Sequence, residues 1–85
     1  MNKGVARNKL RASHPRRMLD IDPDTIKQIR DATRLSQRRF ALVFNIELAT
    51  LRNWEQGRRS PTGPAKALLR AIQKDPIHML RALST

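Results

Sequence analysis

Cysteine is absent from this 85-residue chain, so neither a disulfide framework nor a thiolate metal site can hold its fold together. The two histidines, His14 and His78, are far apart in sequence and show no zinc-ligand spacing. No apolar run approaches the ~20 residues needed to cross a bilayer, and the first residues lack the apolar core of a secretory signal. A basic amphipathic segment with a broad aromatic or leucine face, the kind that lies on a membrane surface, is also missing. There is no phosphate-cradling glycine loop, and no nucleophile, base and orienting group cluster anywhere along the chain. These absences predict a soluble cytoplasmic protein that is not an enzyme, needs no cofactor or metal, and does not engage a membrane.

Positive charge is what the chain has in excess. Eighteen Lys and Arg stand against seven Asp and Glu, for a formal net charge of +11. So strong a bias on a chain long enough for one small domain points to a polyanionic partner, with nucleic acid first. The cations form two groups. Residues 1–19 hold Lys3, Arg7, Lys9, Arg11, Arg16 and Arg17 without one acid, while Arg34, Arg38, Arg39, Arg52, Arg58 and Arg59 belong to the central segment.

Residues 1–20 combine those cations with Gly4, Pro15 and scattered single apolar residues, too little hydrophobic content to offset chain entropy. They are expected to be a disordered basic tail. Its role stays open between a solvated extension, a nucleic-acid arm, and a partner-binding strand built on Met18, Leu19 and Ile21. Residues 21–85 are read as the folded domain.

Helical signals begin at Asp22, an N-cap residue followed by Pro23 at the first helical position and Asp24 in the first turn. The first helix should run to about Thr33, burying Ile26, Ile29 and Ala32, with Leu35 continuing the core. Ser36 then caps a second helix with Phe40, Ala41, Val43 and Phe44 on its inner face. Its first turn carries Gln37, Arg38 and Arg39, a placement that opposes the helix dipole unless an anion sits before it. Asn45, tolerant of left-handed backbone, marks a tight turn. A short third helix should start near Glu47 or Leu48 and end at Gly57, a residue suited to a left-handed C-terminal cap. Leu51 and Trp54 point inward; Leu48, Ala49, Arg52, Asn53 and Gln56 lie opposite.

Pro61, Gly63 and Pro64 punctuate a linker in which Thr62 caps a fourth helix over about Gly63 to Lys74, with Leu68, Leu69 and Ile72 buried. Asp75 and Pro76 repeat the cap-plus-proline signal, and a fifth helix buries Ile77, Leu80 and Leu83. The fold class is all-α: a five-helix bundle containing a helix-turn-helix, preceded by the basic tail.

A helix in the major groove meets base edges with its outward face near its N-terminus. Here that face is Leu48, Ala49, Arg52 and Asn53. Arg52 suits guanine, Asn53 suits adenine or a phosphate, and Leu48 and Ala49 can pack on a thymine methyl. Gln37 and Arg38, Thr50, and Arg58 and Arg59 are assigned to phosphates, which position a protein without selecting sequence. Trp54, at core spacing from Leu51, is read as packing rather than stacking on a base. Glu55 is read as one half of a structural ion pair with Arg30 or Arg58.

The segments L-S-Q at Leu35–Gln37, F-A at Phe40–Ala41 and T-L-R-N-W-E-Q-G-R at Thr50–Arg58 resemble the Cro/lambda-repressor, or xenobiotic-response-element, type of helix-turn-helix. The resemblance covers about Asp22 to Leu83. It implies a five-helix bundle whose second helix crosses the groove and whose third reads it. Within that family, the run from Asn53 to Arg70 looks like the HigA-like antitoxins that partner RelE/HigB-type toxins. This implies a repressor of its own operon, a homodimer on double-stranded palindromic operator DNA, and a toxin protein as second partner. By position, Gln37 carries over as a phosphate or base contact, and Leu48, Ala49, Arg52 and Asn53 as the groove-facing set. Two residues depart from the pattern: Asn45 stands where glycine is common, and Glu47 where a serine usually caps the third helix. The basic tail also differs from the acidic and apolar segments with which such proteins wrap a toxin. The competing readings are a protein-interaction module, or a phage-type repressor, whose tail binds a partner protein or RNA.

Overall fold

The computed structural model describes residues 21–84, and the expectations for the tail, including a strand around Met18 to Ile21, fall largely outside them. Among the described residues the structure is entirely helical: α1 (Pro23–Thr33), α2 (Gln37–Val43), α3 (Leu48–Glu55), α4 (Gly63–Lys74) and α5 (Pro76–Ser84). No helix among them is long and apolar enough to cross a membrane. The expected all-α, five-helix architecture is therefore the observed one.

Local chemistry sets most of the boundaries. The Asp22 side chain accepts a hydrogen bond from the Thr25 amide at 2.8 Å, with Pro23 following it at the helix start. Ser36 accepts from the Arg39 amide at 3.1 Å and Asp75 from the His78 amide at 3.1 Å. Each supplies an acceptor to an amide that the helix itself leaves unpaired. Glu47 and Thr62 occupy the equivalent positions of α3 and α4, but their side chains make no capping bond. The cap expected of Thr62 is thus positional only.

The C-terminal ends of α1, α2 and α3 use left-handed residues. Asn45 has φ +58°, and beside it the Ile46 amide donates to the Ala41 carbonyl at 2.8 Å and the Asn45 amide to Leu42 at 3.3 Å. This bond pair closes the last turn of α2. Gly57, at φ +77°, does the same for α3, with the Arg58 amide on the Asn53 carbonyl at 2.9 Å. The helix itself therefore stops at Glu55, two residues before the glycine that sequence reading took as its end. Arg34 also takes a left-handed conformation, φ +63°, after α1. No glycine or asparagine marks that position in the sequence, so the turn gave no signal there.

The core is Ile21, Ile26, Ile29, Phe40, Ala41, Phe44, Leu51, Trp54, Leu69 and Ile72, with Leu35, Val43, Ile46, Leu48, Leu68, Met79 and Leu80 packed around it. Phe40 in α2 and Phe44 at its C-terminal cap pack with tilted rings, their centroids 4.8 Å apart. α1 touches every other helix, and α2 packs on α3 and α5. Two expectations need correction. Ala32 is exposed while Thr33 is buried, its hydroxyl donating to the Arg30 carbonyl and accepting from the Leu35 amide. The threonine can be buried because its polar atom is satisfied. On α5, Ile77 and Leu83 face solvent, and Met79 and Leu80 make the contact. With 3.6 residues per turn, the two central residues of so short a helix meet the bundle while the ends of its apolar stripe rotate away.

Asn45→Ala should destabilise the fold by about 1–2 kcal/mol, because alanine gains nothing in a left-handed turn, while Asn45→Gly should stay within about 0.5 kcal/mol of the parent. Urea midpoints of the three proteins measure this.

Candidate nucleic-acid interface

The surface carrying the candidate contacts is built around one buried carboxylate. Glu55, the last residue of α3, is only 4% exposed. Its Oε2 accepts from Arg30 Nε at 2.8 Å, and its Oε1 from Arg30 Nη2 and Gln37 Nε2, both at 3.1 Å. Arg30 on α1 therefore holds the carboxylate with both prongs of its guanidinium, the strongest geometry for such a pair. Its Nη1 also donates to the Leu35 carbonyl at 3.1 Å. Of the two partners the sequence allowed for Glu55, the structure selects Arg30.

Burial alone pushes the Glu55 carboxyl up, but hydrogen bonds from Arg30 and Gln37, with the positive charges of Arg30 and Lys27, outweigh it and hold the group below the ordinary carboxylate range. The same bond lifts the Arg30 guanidinium above its usual value, against the cost of its burial. Glu55 is thus ionised at neutral pH in a place that tolerates a charge only when it is paired.

Gln37 joins this core device to the surface. While its Nε2 is held by Glu55, its Oε1 accepts from Arg52 Nε at 3.5 Å, the outer limit of a hydrogen bond and a weak tether. Of the expected site residues, Gln37 and Arg52 are brought directly together. Ala49 and Arg52 are exposed on α3, Thr50 and Asn53 are half-buried, and Arg38 is exposed on α2. Leu48 packs against the core with part of its side chain and is only half free. Arg58 and Arg59 are exposed just beyond α3, both amides turned back to the Asn53 carbonyl, at 2.9 and 3.4 Å. Arg38 on α2, Arg52 on α3, and Arg58 and Arg59 in the return after α3 are all exposed, with the turn at Phe44–Glu47 joining the two helices.

Sequence reading missed that Gln37, half-buried, is a link to the core as well as a surface group, because its partner lies 18 residues away. It also left Arg30 outside the site; a buried acid near the end of α3 was the available signal.

No protein-family model matches the chain. It is similar to Antitoxin HigA-2 of Vibrio cholerae serotype O1, with 43% identity over 58 residues that make up 68% of this chain and 56% of that protein. The chain thus spans a little over half the length of the curated relative it matches.

Glu55→Ala should cost about 3 kcal/mol, the lower end for breaking a buried pair because the Arg30 side chain is 18% exposed. In a domain of about sixty residues this is a large part of the total stability. Because the folded carboxyl titrates below its unfolded value, about 4.3, its contribution is complete above that pH and is lost as the pH falls through the folded value. Urea midpoints should hold between about pH 5 and 7 and drop below about pH 4, with a flatter acid limb in Glu55→Gln.

Proposed function

We propose that this protein is a sequence-specific DNA-binding repressor that acts as an antitoxin, regulating its own operon and neutralising a RelE/HigB-type toxin. The observation that carries the reading is the pairing of the HigA-2 similarity with an exposed arginine surface on α2, α3 and the return after α3. The rest of the assignment follows from residue chemistry. Arg52 and Asn53, with Ala49 and the free part of Leu48, face the base edges; Arg52 can bond a guanine with two donors, and Asn53 an adenine. Gln37, Arg38, Thr50, Arg58 and Arg59 take the phosphates. Gln37, fixed from behind by Glu55, presents its amide without having to lose rotamer freedom on binding. A homodimer on a palindromic operator would place two such surfaces about 34 Å apart, one turn of the duplex.

Glu47 is the exception within this surface. Its exposed carboxylate stands at the start of α3 without capping it. A negative charge is favourable to the helix there but repels a phosphate, so the backbone in front of α3 must pass at a distance.

The test is a duplex selected from a random library by the full-length protein. Arg52→Ala combined with Asn53→Ala should reduce the preference for that duplex over a scrambled one by roughly 30-fold or more, at about 1–3 kcal/mol per lost base contact. Unchanged preference at moderate salt would sink the base-reading role. With Arg38, Arg58 and Arg59 each neutralising one phosphate per monomer, the slope of log affinity against log salt should come from this surface at about −2.7, doubled for a dimer. Co-expression with the product of the adjacent open reading frame tests the antitoxin role: the full chain should relieve its toxicity and bind it in a pull-down, and failure of both would remove that half of the proposal.

A further inference from the structure

We propose that Arg34, in the turn between α1 and α2, is a phosphate ligand for duplex DNA, an inference that rests on the DNA-binding reading above. A conflict between its backbone and its side chain carries it.

Of the left-handed residues that close α1, α2 and α3, Asn45 and Gly57 are types that take this backbone readily. Arg34, at φ 63° and ψ 21°, is not. Such a conformation persists only where the surroundings over-determine it, and here they do. The Arg34 amide donates to the Asp31 carbonyl at 3.0 Å, and the Leu35 amide to Thr33 Oγ1 at 3.3 Å. The Leu35 carbonyl accepts at 3.1 Å from Arg30 Nη1, part of the guanidinium that holds Glu55. The fold thus fixes the Arg34 backbone but asks nothing of its side chain, which is exposed and makes no hydrogen bond or ion pair among the described residues. Glycine or asparagine would suit the turn better. A cation at the end of α1 gains from the helix dipole, but at an exposed site that gain is smaller than the left-handed penalty. Local structure does not account for the arginine; a ligand for its guanidinium does.

Its place in the fold indicates which ligand. When the second helix of a helix-turn-helix enters a groove, the first crosses the phosphate backbone. Arg34 leads into that first helix, three residues before Gln37 and four before the exposed Arg38. Gln37 and the bond to the Leu35 carbonyl both depend on the Arg30–Glu55 pair, so this entrance is fixed to the end of α3. Arg34 is therefore held in register with the helix assigned to bases and beside the segment assigned to phosphates. An acidic face on a protein could meet the same charge, but the duplex is favoured because its backbone passes where α2 begins. A phosphate asks for a charge and a donor, and a side chain on a fixed backbone supplies both while losing only its own rotamer freedom. Arg34 then joins Arg38, Arg58 and Arg59 as a fourth cation, taking the slope of this surface from about −2.7 to about −3.6 per monomer.

The experiment compares the full chain with full-length R34G, R34N and R34K. Binding is measured by fluorescence anisotropy on the selected duplex and on a scrambled one of equal length, from about 50 to 300 mM salt. R34G and R34N should bind both duplexes more weakly, by up to about fivefold per contact, with the preference ratio kept within about twofold. Their slopes should become less negative by about 0.9 per monomer, or about 1.8 for a dimer, while R34K keeps the parent slope. Their urea midpoints should equal or exceed the parent's, because both residues accept the left-handed turn. Parent slopes in R34G and R34N would overturn the contact, as would a loss confined to the selected duplex. Midpoints below the parent's would remove the conflict on which the proposal stands. Unchanged slopes with lost capture of the adjacent reading frame's product would give Arg34 to a protein partner and overturn it too. If the full chain shows no preference for any selected duplex, the reading of α3 fails, while the slopes of R34G and R34N still decide Arg34.

Discussion

The fold depends on placing one carboxylate where water cannot reach it. An ion removed from water is costly unless its charge is balanced and its lone pairs are filled. Glu55 meets that condition only when α1 supplies Arg30 and α2 supplies Gln37 at the same time. Apolar packing among these short helices would tolerate small slides and rotations; a two-pronged ion pair with a third donor does not. The three helices are therefore fixed relative to one another at the point where α3 ends, and the position of the exposed α3 residues follows from it. α1 touches every other helix, so α4 and α5 pack on the same helix that carries Arg30.

Basicity is kept apart from this centre. Apart from Arg30, the arginines of the central segment, Arg34, Arg38, Arg39, Arg52, Arg58 and Arg59, are all exposed. None of them contributes to the apolar core, and as neighbours they repel one another. Such a surface weakens the free protein slightly, and a bound polyanion would relieve it, so that stability and affinity for such a partner would be thermodynamically linked.

Much of the fold could be read directly from the residues. Asp22–Pro23, Ser36 and Asp75–Pro76 announced helix starts because side-chain capping is a local interaction. Asn45 and Gly57 announced helix ends because few residues adopt left-handed backbone. The signals that failed were those settled by distant partners or by rotation of a short helix. Thr33 is buried in place of Ala32 because its hydroxyl finds two backbone partners. Ile77 and Leu83 face outward because α5 meets the bundle through Met79 and Leu80. At the candidate site the residue types and their exposure were largely legible: Ala49, Arg52, Arg58 and Arg59 lie on the surface as their spacing implied. Beneath them, Arg30 was one of two partners the sequence offered Glu55, and the tertiary fold selects it across 25 residues; the Gln37 bond to the same carboxylate was not legible, since nothing local ties Gln37 to a residue 18 positions away.

Trp54 gives the molecule an optical property of its own. It is the only tryptophan, the chain has no tyrosine, and the indole is 6% exposed in the residue next to Glu55. Ultraviolet emission from the native protein therefore originates at one place, the seat of α3 against the core. A change in that seat, whether from acid, denaturant or a bound partner, alters the polarity around a single chromophore with no second signal overlapping it. The protein reports on its own candidate interface without a label.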